Sequence, residues 1–567
     1  MRFWPEIVGR LVLDQIRAEW RGSPMHLASL ATPAASGWAT RPGDRRPARR
    51  AEGEALLAGV FALAGEELDV GPGGDPWRRP SPSRRFAVTL HRFEWLPALM
   101  TQGEAGAAEG LRLVLGWQAL FGRWNAFAWS AETLERRVFN LACAGRALAA
   151  QAEGPDPLAQ SLARQARFLA QFARRPPRRA EQLAAAAAAG AALGGRAGGL
   201  LLERTLPRLV GALKESVTPD GGHRSRSPEA GLELLLDLLA LEDGLSQRGE
   251  PPPEPMLSAM VRLADGLGVL TLPDGRLPPL QGGGAGEPGR AAAARLSEPS
   301  DAAAGDAAAA GGYQRLDAPA LSVVVDAAAP AVGDWSVGAC GQPLAFVAAS
   351  GRDRLISASG WTADGPGPPA LRLADAASTA VIDRGHVGAP LRGLAARALG
   401  PRLAGGVAAV TVARRENAAG IWLDLAHDGW ASAHLTHARR LFLDKGANEL
   451  RGEDRFVPQA GAKPVSVAVA IYFHLPPETS ASLARDQKSV LLRGRSAIGW
   501  WLRNDAGEVS VEAGAALEQG RARRTSVVVM RGRVRADRGG RIRWKLTLAG
   551  PGVDGRPATI DTATGGS

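Results

Sequence analysis

A single change of hydrophobic period divides this chain, and it constrains the fold more than any one motif. From about Phe86 to Leu267 apolar residues recur at helical spacing, with breakers at intervals typical of helical hairpins. Predicted helices include "RRFAVTLHRFEWLPALM", "SAETLERRVFNLACAGRALAAQ", "AGGLLLERTLPRLVGALKES" and "PEAGLELLLDLLALEDGL". "EQLAAAAAAGAALGGRAGG" is low in complexity, yet alanine has the best helix propensity, so it also reads as helix. Serial antiparallel hairpins of this length are the raw material of a bundle, a solenoid or an (α/α) toroid.

Residues 280–311 are dominated by Gly, Ala, Pro and Ser, the composition of a linker. Beyond them the period becomes two. "LSVVVDAA", "GIWLDLAHDGW", "VSVAVAIYFHLPP", "RTSVVVMRGRV" and "RIRWKLTL" are short, β-branched and separated by turns, which predicts an antiparallel β-sandwich. Helices first and strands afterwards mean two domains, with the crevice between them as the natural ligand site. The expected boundaries are 1–84 for an N-terminal helical and extended segment, 85–275 for the helical domain, 276–311 for the linker and 312–567 for the sandwich.

The chain is too long, at 567 residues, for one ordinary core. Its formal charge of +11 invites a nucleic-acid reading. The basic residues are nearly all arginine and are spread along the whole chain, however, and no helix-turn-helix, zinc-finger or RNA-binding signature accompanies them. No nucleic-acid partner is expected, whereas a basic groove for an acidic polysaccharide would use the same electrostatics. Cys143 and Cys340 are far apart, neither a disulfide framework nor a metal knuckle. No transmembrane span is predicted. The start, "MRFWPEIVGRLVLDQIRAEW", reads as an amphipathic helix rather than the uncharged core of an export signal.

The residues able to carry chemistry fall in a few loops. In "PDGGHRSRSPEAG" the glycines permit a sharp turn, followed by His223, Arg224 and Arg226, with Ser227 as N-cap and Pro228 in the first turn of the next helix. The segment is either a helix-hairpin loop with exposed arginines or a cation-rich lip able to neutralise a carboxylate. "LAHDGWASAHLTHARRLFL" gathers His427, Asp428, His434 and His437 without a recognised zinc spacing, and His434 and His437 would face opposite sides of a strand. No metal or cofactor is expected. His427 beside Asp428 is a candidate proton-transfer group at a strand end, the alternative being a solvent-exposed turn. Tyr313 is a second such candidate if arginine depresses its pKa, and otherwise a packing residue. "RRLFLDKGANELRGEDRF" carries charges dense enough for either a buried network or a solvated turn.

These segments, with "GGYQRLDA", "SGRDRLISASG", "LRGEDRF" and "GWWLRNDAGEVSVEAG" in the same order, resemble the heparinase II/III family over most of the chain. The resemblance implies an (α/α) toroid, an incomplete barrel of helical hairpins, followed by an antiparallel β-sandwich. It also implies a polysaccharide lyase that cleaves uronic-acid-containing glycans by β-elimination, or a catalytically impaired acidic-glycan-binding protein of the same fold. β-Elimination needs a group that neutralises the uronate carboxylate, a base for the C5 proton and an acid for the departing oxygen. Carried over residue by residue, His223 and Arg226 would neutralise the carboxylate, while His427 and Tyr313 would handle protons. Arg224, Ser227, Asp428 and Trp430 would be substrate-binding positions. Four positions depart from the family pattern: Ser227 stands where an asparagine is usual, Cys340 near a usual histidine, Ala377 in a histidine position, and Trp430 where a tyrosine follows His-Asp-Gly. The resemblance places such a protein in the cell envelope, while the N-terminus lacks an export signal and leaves a cytoplasmic location open.

Overall fold

A computed structural model describes residues 4–284, 286–294, 308–496, 498–518 and 520–550. Its first half is helical. Helices α1 (Trp4–Gly22), α2 (Pro24–Ala31) and α3 (Arg50–Leu57) precede a small hairpin of β1 (Val60–Leu63) and β2 (Glu66–Asp69). Then follow α4 (Arg84–His91), α5 (Leu96–Met100), α6 (Gly103–Phe121), α7 (Ala131–Ala149), α8 (Ala159–Phe172), α9 (Arg179–Ala192), α10 (Gly195–Ser216), α11 (Pro228–Gln247) and α12 (Glu254–Leu270).

The alanine-rich segment is the hub of this toroid. Helix α9 packs against α7, α8, α10 and α11, and its run from Ala184 to Ala189 is fully buried. A helix bare of large side chains lets four neighbours approach closely. At Gly190 even a methyl group would meet Leu202 at 3.1 Å. The stretch from Arg84 to Met100 is two helices rather than the one expected. Phe93 sits between them at φ 57°, and the carbonyls of Arg92 and Phe93 are capped by the Asn140 amide from α7 at 3.0 and 3.1 Å. A tertiary partner thus supplies hydrogen bonds that a continuous helix would have made internally.

The second half is sheet. Strands β3 (Ala309–Ala310), β4 (Tyr313–Ala318), β5 (Leu321–Asp326), β6 (Phe346–Ser350) and β7 (Asp353–Ile356) form a five-stranded meander in chain order. After β8 (Ala380–Ile382) and the two-stranded pair β9 (Ala389–Pro390) and β10 (Leu403–Ala404) come the long strands. These are β11 (Val410–Glu416), β12 (Gly420–His427), β13 (Leu435–Asp444), β14 (Glu449–Pro458), β15 (Ser466–His474), β16 (Ser480–Leu483), β17 (Val490–Arg493), β18 (Gly499–Asn504), β19 (Glu508–Glu518), β20 (Arg521–Arg535) and β21 (Gly540–Leu548). An eight-stranded sheet in the order β11-β12-β13-β14-β21-β18-β17-β16 faces a four-stranded sheet β19-β20-β15-β8. These two sheets share with the five-stranded meander a core that includes Phe346, Phe473, Trp500 and Trp544.

Helix α1 is where the N-terminal pattern predicted a helix. Its Ile7 packs on Ala398 and Leu399 of the sandwich half, while Val12, Ile16 and Trp20 are exposed. No helix among the described residues is long and apolar enough to cross a membrane.

Candidate functional site: the cleft between toroid and sandwich

The loop that joins α10 to α11 is folded by its glycines. Gly221 has φ 81°, and a side chain there would meet the Arg262 carbonyl oxygen at 2.1 Å. A methyl on Gly222 would lie 2.2 Å from Gly311 Cα, so the toroid loop and the sandwich entry touch backbone to backbone. Ser227 caps α11 through a hydrogen bond from Ala230 N at 3.3 Å, as the sequence pattern predicts. Between these points His223 and Ser227 turn toward the interdomain cleft, whereas Arg224 is exposed and is not among the residues lining it.

The cleft has a volume of about 1450 Å³ and takes walls from both halves of the molecule. It is not the cation-rich groove expected from the net charge. Arginines and carboxylates line it in equal number, and most are paired. Behind the lining, fully buried Asp237 accepts from the lining residues Arg46 at 2.6 Å and Arg136 at 2.7 Å. Glu233 pairs with Arg46 and with Arg290. Burial opposes ionisation of Glu233, but those arginines prevail and hold its carboxyl down at about 2. Arg178 is spent in the same way on Glu135. Charges neutralised pairwise leave little net field for an anion.

His223 is buried, and its ring Nδ1 accepts from the Ser225 backbone N–H at 3.3 Å while lying 2.6 Å from Ser225 Oγ. That arrangement puts the ring proton on Nε2. Burial, with Arg178 adding to it, depresses the His223 pKa to about 3, so the ring is neutral at physiological pH. Nε2 has no hydrogen-bond partner, and the nearest carboxylate oxygen, Glu181 Oε1 on α9, is 3.8 Å away. Glu181 Oε2 is unpartnered too, and burial raises its carboxyl to about 7. Glu181 was not anticipated from the sequence, where it is one carboxylate at the head of an alanine run.

Arg226 does not reach the cleft. Its backbone is left-handed, φ 66°, and its guanidinium is turned into the domain junction. There it donates to the carbonyls of Gly311, Gly312, Ala328 and Ala329 and to Asp326 Oδ1 at 2.6 Å. With every donor direction engaged, it has none left for a substrate carboxylate. Tyr313 is committed to the same junction. Its hydroxyl donates to the Arg226 carbonyl at 2.8 Å. Burial and the Asp326 charge outweigh Arg226 and push its pKa well above the ordinary value, the opposite of the depressed phenol a base requires.

His427 ends β12, as the pattern predicts, but it sits in the sandwich away from the cleft lining. Its partner is His437, not Asp428. The Gly429 N–H donates to His427 Nδ1 at 3.1 Å, so His427 donates from Nε2 to His437 Nδ1 at 3.2 Å. His437 in turn donates from Nε2 to Asp454 at 2.7 Å. Asp454 also accepts from Arg439 at 2.7 Å and from the Trp544 indole at 2.9 Å. Burial lowers the pKa of both histidines, leaving a neutral relay around a buried ion pair. Asp428 is exposed, and its carbonyl accepts from Ala431 N to close the turn. Trp430 is buried in the sandwich core. His434 lies outside the strand altogether, at φ 53° in the turn before β13. Among the described residues no group of three or more His, Cys, Asp or Glu is placed to hold a metal ion. The four proton-transfer and carboxylate candidates therefore do not meet in one groove.

Residues 301–545 match the heparinase II/III-like, C-terminal family. FtsZ-localized protein C of Caulobacter vibrioides (strain NA1000 / CB15N) is 45% identical over 542 residues, spanning 94% of each chain. The chain belongs to the heparinase II/III-like family. The fold agrees along almost its whole length. A crystal structure of heparinase III superposes with TM-score 0.66 at 14% identity, covering 90% of this chain and 85% of that one. A heparan sulfate lyase HepC mutant from Pedobacter heparinus gives 0.55 at 13% identity, covering 92% and 87%. The family architecture is a helical toroid followed by a β-sandwich, and this chain has it. Within that shared frame the departures at Ser227, Cys340, Ala377 and Trp430 take on meaning. Cys340 is buried, and its backbone N–H and carbonyl are engaged by Gln281 rather than turned toward a ligand. Ala377 is fully buried in a core shared with the toroid.

Proposed function

We propose that this chain is a saccharide-binding member of the heparinase II/III-like family that performs no β-elimination and works alongside the FtsZ-based division apparatus. The observation that supports the first part is the separation of the groups elimination needs. His223 alone of the four candidates lines the cleft, and it is neutral; Arg226 and Tyr313 are consumed by the domain junction, and His427 serves a buried relay. A lyase lacking both a carboxylate-neutralising cation and a proton acceptor at one sugar forfeits the electrostatic and acid–base contributions that make the step fast. The second part is carried over from the name of the 45% identical relative, FtsZ-localized protein C.

Two measurements test the reading. The full chain is incubated with heparan sulfate, chondroitin sulfate, alginate and polygalacturonate while the absorbance of the unsaturated uronate product is followed. No product is expected, and a sustained, enzyme-dependent rise that His223→Ala abolishes would restore the lyase reading. In parallel, a fluorescent fusion in its source cells is expected at the division plane and dispersed when FtsZ is depleted. A signal indifferent to FtsZ overturns the second part.

A further inference from the structure

We propose that Glu181, His223 and Trp335 form a subsite for the hydroxyl-bearing face of an uncharged pyranose, not for a carboxylate. This deepens the saccharide-binding reading above and rests on it.

His223 Nε2 and Glu181 Oε1 face each other at 3.8 Å, too far to hydrogen-bond, and Nε2 and Glu181 Oε2 have no partner. Both side chains are only 2% exposed, and both residues line the cleft. Unpaired polar atoms at that burial are costly unless something completes them. The group that fits between a ring N–H and a carboxyl is one that accepts from the first and donates to the second, which is what a hydroxyl does. A carboxylate could accept from His223 but could bond to Glu181 only where that carboxyl is protonated, whereas a hydroxyl can pair with Glu181 in either state.

The charges around the pair lead to the same ligand. His223 is neutral, and Arg178, which stands 4.0 Å from Glu181, already gives its guanidinium to Glu135. The guanidinium nearest the pair is thus already matched to carboxylates. Trp335 completes the subsite from the other domain. It lies in the short turn Gly333–Val337, is half-buried, lines the cleft, and has its ring centroid 5.7 Å from the His223 ring at 73°. An indole beside a donor–acceptor pair offers an apolar face to the C–H side of a sugar while its hydroxyls reach the polar groups.

The test uses the full chain with cellotetraose and chitotetraose as uncharged probes and tetragalacturonate as the carboxylate-bearing one, followed by saturation-transfer NMR and calorimetry. Binding of an uncharged tetramer is expected, weakened about threefold to tenfold by Trp335→Ala. Glu181→Leu is expected to weaken it similarly, whereas Glu181→Gln, which keeps a donor and an acceptor, leaves it within about twofold of the parent. Trp335 is half-exposed, so its variant reads the subsite without disturbing the core. If tetragalacturonate binds and neither uncharged probe does, the subsite is wrong while saccharide binding stands. If uncharged binding is indifferent to both Trp335→Ala and Glu181→Leu, the pair holds only water and the subsite falls. If no tetramer binds, the saccharide-binding reading falls and takes the subsite with it.

Discussion

The Arg226 guanidinium lies 2.6 Å from the Asp326 carboxylate, joining a loop of the toroid to a strand of the sandwich. Asp326 is fully buried, and its other oxygen accepts from Gln281 at 2.7 Å. Removing the arginine leaves a buried carboxylate and four carbonyls short of a donor. Arg226→Ala is therefore expected to cost about 3–5 kcal/mol, read as a lowered urea midpoint. Arg226→Lys is expected to rescue little, because an ammonium has three donors where a guanidinium has five. A loss below about 1 kcal/mol for the alanine variant would show that the junction is held by packing instead.

Asp454 is the anchor of the sandwich relay, and its three donors come from three different side chains, His437, Arg439 and Trp544. Asp454→Ala strands the fully buried Arg439 and is expected to destabilise by about 3–5 kcal/mol. His437→Phe should cost less, about 1–3 kcal/mol, because it leaves a neutral His427 donor unmet and takes one donor from Asp454 but keeps the Arg439–Asp454 ion pair and the Trp544 donor. Thermal unfolding of the two variants checks the order, and equal losses would mean the relay acts as one indivisible unit.

Acid should unfold the protein through its buried histidines. His91 and His223 are held near 3 and His474 near 4, in each case chiefly by burial. Between those values and about 6.5 the unfolded chain binds protons that the folded chain refuses. Stability is thus fully present above about pH 6.5 and falls with decreasing pH by about 1.4 kcal/mol per unit for each such group. Glu181, raised to about 7, works the other way: the folded chain takes up its proton first, so its unfavourable contribution grows as pH rises from about 4.5 to 7. Denaturant midpoints between pH 7 and 5 should drop steeply for the parent chain. For His223→Gln the slope should be shallower by about 1.4 kcal/mol per pH unit. An unchanged slope would mean that His223 titrates alike in both states.

The glycine pair of the cleft loop separates two causes of instability. Gly222→Ala drives a methyl against Gly311 Cα, and because both partners are backbone the domains must part to admit it. Gly221→Ala adds a left-handed backbone to a contact with the Arg262 carbonyl within the toroid. Each is expected to cost about 1–3 kcal/mol. Only Gly222→Ala should raise protease susceptibility in residues 308–330, where the sandwich begins. Equal proteolysis of the two variants would contradict the assigned contact.

Much of the architecture is legible in the sequence, and the reason is local. The leucine run in "PEAGLELLLDLLALEDGL" is apolar on nearly every side, as befits a helix buried from Gly231 to Leu241 apart from Glu233, and Ser227 followed by Pro228 marks where it starts. The alternation in "LTHARRLFLD" turns Leu435, His437, Arg439, Leu441 and Leu443 inward on β13. The density of charge after Leu435 left a buried network and a solvated turn equally open, and the fold holds both, with Arg439 and Asp454 paired inside and Arg440, Arg451 and Arg455 reaching outward. The single helix expected over Arg84–Met100 failed because Asn140, distant in sequence, caps the carbonyls at the break.

What the residues could do was less legible. Periodicity tells which side of an element a side chain occupies, and this is enough for two halves, a crevice and the loop that borders it. It carries no information on which distant element comes to meet that side. Arg226 and Asp326 are one hundred positions apart, and only tertiary packing decided that the arginine would be spent on the junction. The same holds for Glu181, brought from the start of α9 to within 3.8 Å of His223, and for His427, drawn by cross-strand register onto His437. The chain's own pattern determined a helical half, a sheet half and the histidine loop between them. Burial and pairing, which depend on partners remote in sequence, decided that the histidine would be neutral and which of its companions would reach the cleft.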